Sequence, residues 1–228
     1  MAEQTQRQQK KHRRVNDGLV APFEKALLAR IVTDLPKWVT PDRLTILGFA
    51  GSVTIMLGYL LTNLSPAYLW LASLGFVVNW FGDSLDGTLA RYRRIERPKF
   101  GYYTDHAVDA FSQLLITVGL GLSPYVSLNV ALFGLAGYFL VSINTYLTIH
   151  VRGVFQLSYG KLGPTEARLI AMALNVIIYF QALPDVRLPI VDLTLYETIF
   201  LLIGVTLVVM FVVSAIKQAA ELAAMERI

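Results

Sequence analysis

Long apolar blocks alternate with short polar connections through most of this 228-residue chain. Each block is close in length to the roughly twenty residues that an α-helix needs to cross about 30 Å of hydrocarbon. The pattern predicts an all-α integral membrane protein with six spans, at residues 43–62, 66–90, 101–122, 124–151, 164–183 and 189–216. The blocks show no internal repeat of the kind that builds transporters from two related halves.

The chain before the first block is polar and basic. Residues 1–16 are rich in Gln, Lys and Arg, a composition that predicts disorder. Over residues 18–38 apolar side chains recur at helical spacing, at Leu19, Phe23, Leu27, Ile31, Leu35 and Trp38. This spacing predicts an amphipathic helix, either in the membrane interface or packed on the cytoplasmic face of the bundle. We therefore expect a basic tail and juxtamembrane helix (1–39), a six-helix domain (40–220) and a short cytoplasmic tail (221–228).

Lys and Arg concentrate in alternate connections, which sets the orientation. Basic segments occur before the first span, at residues 91–99, at residues 152–168 and after Lys217, whereas the connections near Asn63 and Ser123 have no Lys or Arg. The positive-inside rule then predicts an even number of spans with both termini in the cytoplasm.

Composition narrows the function classes. The chain is 55% hydrophobic and 16% charged, with a net charge of +4 that lies in the connections, so nucleic acid is not an expected partner. Cysteine is absent, which excludes disulfides, thiolate zinc sites and cysteine nucleophiles.

Two pairs of aspartates flank the basic connection at residues 91–99. Asp83 and Asp86 lie three residues apart, and Asp105 and Asp109 lie four apart. Both spacings put a pair on one helix face. At about 1.5 Å per residue, each pair begins roughly 6–8 Å below the cytoplasmic boundary. Antiparallel neighbouring helices would therefore bring all of these carboxylates together in one layer.

Carboxylates clustered within a membrane carry a large energetic cost. One acidic residue at a span's centre costs about 2.5–3.5 kcal/mol, and close carboxylates also repel one another. Mg²⁺, Mn²⁺ or Ca²⁺ is the natural counter-charge for clustered oxygen ligands, and a metal pair suits phosphoryl transfer. Protonated aspartates that hydrogen-bond between helices are the alternative. The match of the two pairs in face and depth favours the metal site.

Small and cationic residues near the first aspartate pair leave room for a ligand. Gly87 and Ala90 lie one turn away and would let a ligand approach the helix backbone, although close helix packing also explains a glycine. Arg91 lies two turns from Asp83 on the same face. It is placed either to contact a phosphate at the membrane boundary or to act as a positive-inside anchor.

The stretch from Asp83 to Asp109 resembles the signature of the CDP-alcohol phosphotransferase family. That signature reads DxxDGxxAR, then eight or nine residues, then GxxxDxxxD. All of its specified positions are present here, as Asp83, Asp86, Gly87, Ala90, Arg91, Gly101, Asp105 and Asp109. The resemblance covers about residues 40–215 and agrees with six spans and two cytoplasmic termini.

The resemblance implies roles for these residues. The implied metal ligands are Asp83, Asp86, Asp105 and Asp109, for Mg²⁺ or Mn²⁺ in a two-metal site, with Ca²⁺ as a further candidate. Asp109 would also serve as the general base. The implied nucleotide pocket is lined by Asp83, Gly87, Ala90 and Arg91. A homodimer is implied as well. His106 points about 100° away from Asp105 on a helix, so we assign it no role.

Two further segments resemble parts of the family's site. Thr40-Pro41-Asp42 corresponds to a segment that usually reads Thr-Pro-Asn, whose Asn borders the nucleotide; Asp42 is therefore either a nucleotide contact or a helix cap. Residues 161–168 resemble the entry to span five, which helps to line the acceptor or head-group site in relatives. The candidates there are Lys161, Thr165, Glu166 and Arg168. A capped helix start with Thr165 as N-cap is the other interpretation.

The expected reaction transfers a phosphatidyl group from a CDP-alcohol, most simply CDP-diacylglycerol, to an acceptor alcohol with release of CMP. The lipid tails would stay in the bilayer and the site would face the cytoplasm. Transfer of phosphocholine or phosphoethanolamine from a CDP-amino-alcohol to diacylglycerol fits the same aspartates. A phosphorylated acceptor would need several cations, although the positive-inside rule explains the same basic residues. The candidates are Lys161, Arg168, Arg152, Arg93, Arg94 and Arg97.

A divalent-cation transporter is the alternative from another class, because buried acids also mark ion paths. It predicts polar residues that continue toward the far side of the membrane. After Asp109 the sequence reads AFSQLLITVGLGL, which is mostly apolar and favours a one-sided site.

Overall fold

The computed structural model describes residues 13–15, 19–152, 154–156, 163–180, 187–188 and 193–226. These ranges contain seven α-helices: α1 (Ala21–Asp34), α2 (Pro41–Leu61), α3 (Tyr68–Tyr92), α4 (Pro98–Gly121), α5 (Leu128–Arg152), α6 (Pro164–Tyr179) and α7 (Leu195–Met225). They also contain two short sheets. Strand β1 (Arg13–Val15) pairs in parallel with β2 (Val154–Gln156), and β3 (Arg187–Leu188) pairs antiparallel with β4 (Leu193–Thr194).

Helices α2 to α7 occupy the six segments that the apolar blocks predict. Three of them, α2, α5 and α7, are long and apolar enough to cross a membrane, as expected of an integral membrane protein. Helices α3 and α4 carry the aspartate pairs, and α6 is only 16 residues long. That α3, α4 and α6 cross the membrane, and that both termini lie in the cytoplasm, stay predictions.

Some predicted boundaries differ from the structure. Helix α7 continues to Met225, past the expected ends at residues 216 and 220, because its last turns are rich in Ala, Glu, Lys and Leu, which favour helix. Residues 13–15, which were expected to be disordered, form β1 through pairing with a distant strand. The rest of the segment 1–16 lies outside the described residues.

Helix α1 packs on the bundle through one side and is exposed on another. Leu28 and Val32 are buried in one cluster with Leu85 and Leu89 of α3, so one face packs on the bundle. Phe23, by contrast, is 70% exposed, as an interfacial side chain would be. The buried residues, Leu28 and Val32, each lie one position after a residue of the predicted apolar stripe, Leu27 and Ile31. The helix ends at Asp34, ahead of a proline, and is shorter than predicted.

Small residues bring the backbones of α2 and α3 unusually close together. A Cβ built on Gly58 would lie 2.5 Å from the backbone nitrogen of Ala72, and a Cβ on Gly82 would overlap the backbone of Gly48. Helix α4 also approaches α2 closely, since a Cβ on Gly119 would lie 2.7 Å from the Cα of Met56. Helix α2 is therefore the element on which α3 and α4 both pack.

The remaining helices pack outside this group. Helix α6 packs on α3, and α5 packs on both α4 and α7. Polar side chains join α5 to α7: Asn144 Nδ2 donates to Ser214 Oγ at 2.8 Å, and Gln218 Nε2 donates to Thr148 Oγ1 at 2.6 Å. These hydrogen bonds satisfy polar groups that lie within otherwise apolar helices.

Candidate metal and nucleotide site

The aspartates of both pairs line one small cavity of about 10 Å³. Asp83 and Asp86 reach it from α3, and Asp105 and Asp109 reach it from α4. The convergence expected from their spacing is thus present in the structure. The cavity has a third wall, however, because α2 lies against both aspartate helices. Two neighbouring helices alone do not make the site.

Helix α2 supplies polar and small residues to that third wall. Thr45 Oγ1 donates a 2.6 Å hydrogen bond to Asp86 Oδ2 and so orients this carboxylate. At Gly48 a Cβ would lie 3.1 Å from the backbone nitrogen of Asp83, a contact tighter than is usual, so glycine lets the two backbones approach. Neither residue was identified from the sequence; a threonine one turn into an apolar span is too common a feature to mark a site.

A cation also reaches the aspartates. Arg168 Nη2 donates to Asp83 Oδ2 at 2.6 Å, and its Nε donates to Asn79 Oδ1 at 2.9 Å. Asn79 in turn donates to the Gly48 carbonyl at 3.0 Å, so one amide joins three helices. Asn79 precedes Asp83 by one turn on the same face, and this spacing was a signal that sequence reasoning missed.

The lining of the cavity fits a divalent cation. Its volume suits about one water-sized occupant, and its carboxylates are the ligands that Mg²⁺, Mn²⁺ and Ca²⁺ prefer. Ser112 also lines it, is 6% exposed and has an Oγ with no hydrogen-bond partner among the residues that the structure describes. A buried hydroxyl without a partner is costly, and an ion with its bound water would satisfy it.

His106 lies closer to the aspartates than expected. Ligand atoms of Asp105, His106 and Asp109 all lie within 4.8 Å of one another. His106 and Asp109 are three residues apart and therefore neighbours on the helix surface, a relationship missed when His106 was compared with Asp105 alone. The imidazole packs edge-on against Tyr102, with ring centroids 4.3 Å apart. His106 therefore belongs to the candidate site.

A larger cavity of about 500 Å³ lies between α4 and α5. His106 lines it, together with aromatic side chains such as Tyr138 and Tyr146. The same histidine thus borders this mostly apolar space on one side and the aspartates on the other.

Comparison with known proteins identifies the family. Residues 38–212 match the family model for CDP-alcohol phosphatidyltransferase, which is more than half of the chain. The chain belongs to the CDP-alcohol phosphatidyltransferase family. Members of this family are transferases, so the resemblance seen in the signature is confirmed.

Individual relatives have the names of a phosphotransferase and a synthase. Cholinephosphotransferase 1 of Homo sapiens is 26% identical over 175 residues, which cover 71% of this chain and 41% of that protein. Archaetidylinositol phosphate synthase of Pyrococcus horikoshii is 33% identical over 126 residues, covering 55% of this chain and 64% of the relative. The match therefore spans less than two thirds of the length of each of these relatives.

The signature residues of α3 that follow Asp86 lie outside the small cavity. Among the described residues, Gly87, Ala90 and Arg91 do not line it and lie farther toward the end of α3. A Cβ on Gly87 would meet only the Arg91 guanidinium, with 3.2 Å to Nη1, so helix packing does not require this glycine. An open helix surface remains there, and the nucleotide-binding role stays a prediction.

Asp42 does not cap a helix. Thr40 is the N-cap of α2, and its Oγ1 accepts a 3.3 Å hydrogen bond from the Arg43 backbone nitrogen. Asp42 instead forms an ion pair with Arg97, and both side chains are about half exposed. This pair joins the start of α2 to the start of α4, and the proposed contact of Asp42 with a nucleotide stays a prediction.

The acceptor candidates near the start of α6 separate into different roles. Arg168 reaches the aspartates, whereas Thr165 Oγ1 donates to Glu24 of α1 at 2.8 Å. Glu166 accepts from the backbone nitrogen of Gly163 at 2.9 Å, and Gly163 is the N-cap, so the interpretation of Thr165 as N-cap is wrong. Lys161 lies outside the described residues.

Proposed function

We propose that this chain transfers a substituted phosphate from a CDP-alcohol, in the first place CDP-diacylglycerol, to an acceptor alcohol with release of CMP. The observation that carries the proposal is the convergence of four family-signature carboxylates on one cavity: Asp83, Asp86, Asp105 and Asp109. Family membership supports it independently.

The proposed reaction exchanges one phosphorus–oxygen bond for another. The acceptor oxygen bonds to the β-phosphorus of the CDP-alcohol, and the bond from that phosphorus to the bridging oxygen breaks, so CMP leaves with that oxygen. Asp109 receives the hydroxyl proton as general base. A divalent cation, Mg²⁺ or Mn²⁺, would when bound neutralise the charge on the attacking and leaving oxygens. The ligand set proposed for it is Asp83, Asp86 and Asp105, with Asp109 adjacent.

Other side chains of the chain prepare the site. Thr45 holds the Asp86 carboxylate in one orientation. Arg168 provides a cation beside Asp83, from which a short movement would bring it to a phosphate of either substrate. The 500 Å³ apolar cavity beside His106 is suited to an acyl chain, which would keep the lipid tail out of water while its polar end reaches the aspartates.

Transfer of phosphocholine or phosphoethanolamine to diacylglycerol is the second candidate, and a specific observation favours it. Two of the cations that could serve a phosphorylated acceptor have other partners: Arg93 donates to the Leu35 and Pro36 carbonyls at 3.0 and 2.9 Å, and Arg97 pairs with Asp42. A neutral acceptor such as diacylglycerol needs no such cations. The match to cholinephosphotransferases supports the same candidate.

The location and assembly of the enzyme complete the proposal. The aspartates lie next to the basic connection at residues 91–99, so the positive-inside rule places the site on the cytoplasmic face. A homodimer, implied by the resemblance, can be checked by the mass of the purified protein in detergent.

The decisive experiment offers both donor classes to the purified full chain. Reactions contain Mn²⁺ and either CDP-diacylglycerol with a panel of alcohols, or CDP-choline and CDP-ethanolamine with diacylglycerol. CMP and the lipid product are identified by mass spectrometry. EDTA should abolish the formation of both products. Uptake of Mn²⁺ into liposomes without CMP formation from any donor would instead establish a transporter.

A further inference from the structure

One carboxylate oxygen joins three helices at the edge of the candidate site. Glu24 Oε1 in α1 accepts hydrogen bonds from Trp80 Nε1 at 2.7 Å and Ser84 Oγ at 3.0 Å, both in α3. It also accepts from Thr165 Oγ1 in α6 at 2.8 Å. Hydrogen bonds to an ionised acceptor are stronger than those between neutral groups. We call this contact the Glu24 clamp.

The clamp lies beside the Arg168–Asp83 ion pair on both of its helices. Thr165 lies three residues before Arg168 and so on the same side of α6. Arg168 makes its 2.6 Å hydrogen bond to Asp83, and Ser84 is the residue that follows Asp83 in α3. The position of the Arg168 guanidinium thus depends on how the first turns of α6 are held.

A second contact ties the same two helix starts together. Glu166 accepts hydrogen bonds from the backbone nitrogens of Val20 and Gly163, both at 2.9 Å. The N-terminal end of α1 and the N-cap of α6 therefore share one carboxylate. Helix α1 holds the entry of α6 from two points.

The attachment of α1 itself does not depend on the clamp. Leu28 and Val32 are buried against Leu85 and Leu89 of α3, and burial of such side chains is the main contribution to helix docking. Loss of the Glu24 carboxylate would leave this apolar contact intact. Its effect would fall on α6, which is joined to α1 by polar contacts.

We propose that Glu24 is a positioning residue: through Thr165 it fixes the start of α6 and thereby sets the place of the Arg168 guanidinium beside Asp83. The inference rests on the proposed function for its kinetic consequence. Helices α3 and α4 are held by α2, so the aspartates keep their places when the clamp is broken. The Arg168 guanidinium, which would meet a substrate phosphate, loses its place instead. Substrate binding is therefore affected more than the chemical step.

The kinetic test compares variants that break different parts of the clamp. Glu24→Ala and Thr165→Val are each expected to raise the KM for a phosphate-bearing substrate about tenfold with little change in kcat. Ser84→Ala breaks only a contact to α3 and should change KM much less. Glu24→Gln keeps an acceptor oxygen and should recover part of the loss. The double variant Glu24→Ala/Thr165→Val should be no worse than Glu24→Ala alone, because that variant already removes the hydrogen bond to Thr165.

A measurement without substrate separates this inference from the proposed function. Hydrogen exchange of backbone amides at residues 164–168 should become faster in Glu24→Ala and Thr165→Val, with exchange in α2 unchanged. If exchange becomes faster in these variants but the wild-type protein shows no transferase activity, the clamp is supported and the proposed function is wrong. Three results would overturn the clamp. They are unchanged exchange at residues 164–168, exchange that becomes faster in all of the helices, and a fall in kcat as large as the rise in KM.

Discussion

The guanidinium of Arg168 lies on the carboxylate of Asp83, with Nη2 donating to Oδ2 at 2.6 Å. Their side chains are only 15% and 24% exposed, so water screens this ion pair little. Asp83 is one of the four carboxylates around the small cavity, and Arg168 neutralises part of their charge. The protein therefore carries its own counter-charge at the site proposed for divalent metal.

Removal of that counter-charge should destabilise the metal-free protein. Arg168→Gln leaves the partly buried Asp83 without its cation, which we expect to cost about 1–3 kcal/mol. Saturating Mn²⁺ should recover much of the loss, because the ion replaces the missing positive charge. Melting temperatures of the full chain in detergent, with EDTA and with Mn²⁺, measure both effects.

The matched control is Arg30→Gln, which removes the same charge from an exposed position on α1. Surface charges of this kind contribute about 0–1 kcal/mol. Equal melting temperatures for the two variants in EDTA would mean that the Arg168–Asp83 contact has no stabilising role.

Asp109→Asn should abolish CMP release in a protein that still folds. The amide cannot take the proton of the acceptor hydroxyl, and loss of a general base typically reduces turnover about 10²–10⁴-fold. CMP formation and the melting temperature are measured on the same preparation. Asp34→Asn, an exposed position at the end of α1, is the charge-matched control. Undiminished turnover in Asp109→Asn would remove this residue from the mechanism.

The sequence predicted the parts of this structure that depend on local spacing. The apolar blocks located all six helices from α2 to α7. The spacing within each aspartate pair predicted that the four aspartates would converge. Helix periodicity and membrane thickness are enough for such inferences, because both act along a single segment.

Contacts between distant segments could not be predicted in this way. Thr45 bonds to Asp86 because glycines on α2 and α3 let the backbones approach, and a glycine by itself does not reveal its partner. Glu24 and Thr165 are separated by 141 positions in the chain, with no local pattern that links them. His106 was missed although its spacing from Asp109 contained the information.

Gly82→Ala should separate α2 from α3 and disrupt the site. A Cβ there would overlap the backbone of Gly48, and backbone atoms cannot move aside as flexible side chains do. Overpacking of this kind typically costs about 1–3 kcal/mol, and the Thr45–Asp86 hydrogen bond would be lost with it. The yield of folded protein and the metal-induced rise in melting temperature should both fall.

Gly134→Ala is the control for that substitution, because a Cβ at Gly134 would meet nothing within 4 Å. Within a helix alanine is favoured over glycine, and the added methyl group has space here, so this variant should be at least as stable as the wild type. A Gly82→Ala protein that melts like Gly134→Ala would show that the close approach of α2 and α3 is not required.

Ser112→Ala tests whether the unpartnered hydroxyl at the aspartate cavity serves a bound ion. Its Oγ has no hydrogen-bond partner among the described residues, so its removal should leave the metal-free melting temperature unchanged or slightly higher. The stabilisation by Mn²⁺ should become smaller, because a ligand or a partner of a metal-bound water is gone. Thr54→Val is the control, since Thr54 of α2 does not line the cavity and its hydroxyl already donates to the Ala50 carbonyl at 2.9 Å. If Ser112→Ala and Thr54→Val respond to Mn²⁺ alike, the hydroxyl is a packing group, and the fit of the cavity to an ion rests on the aspartates alone.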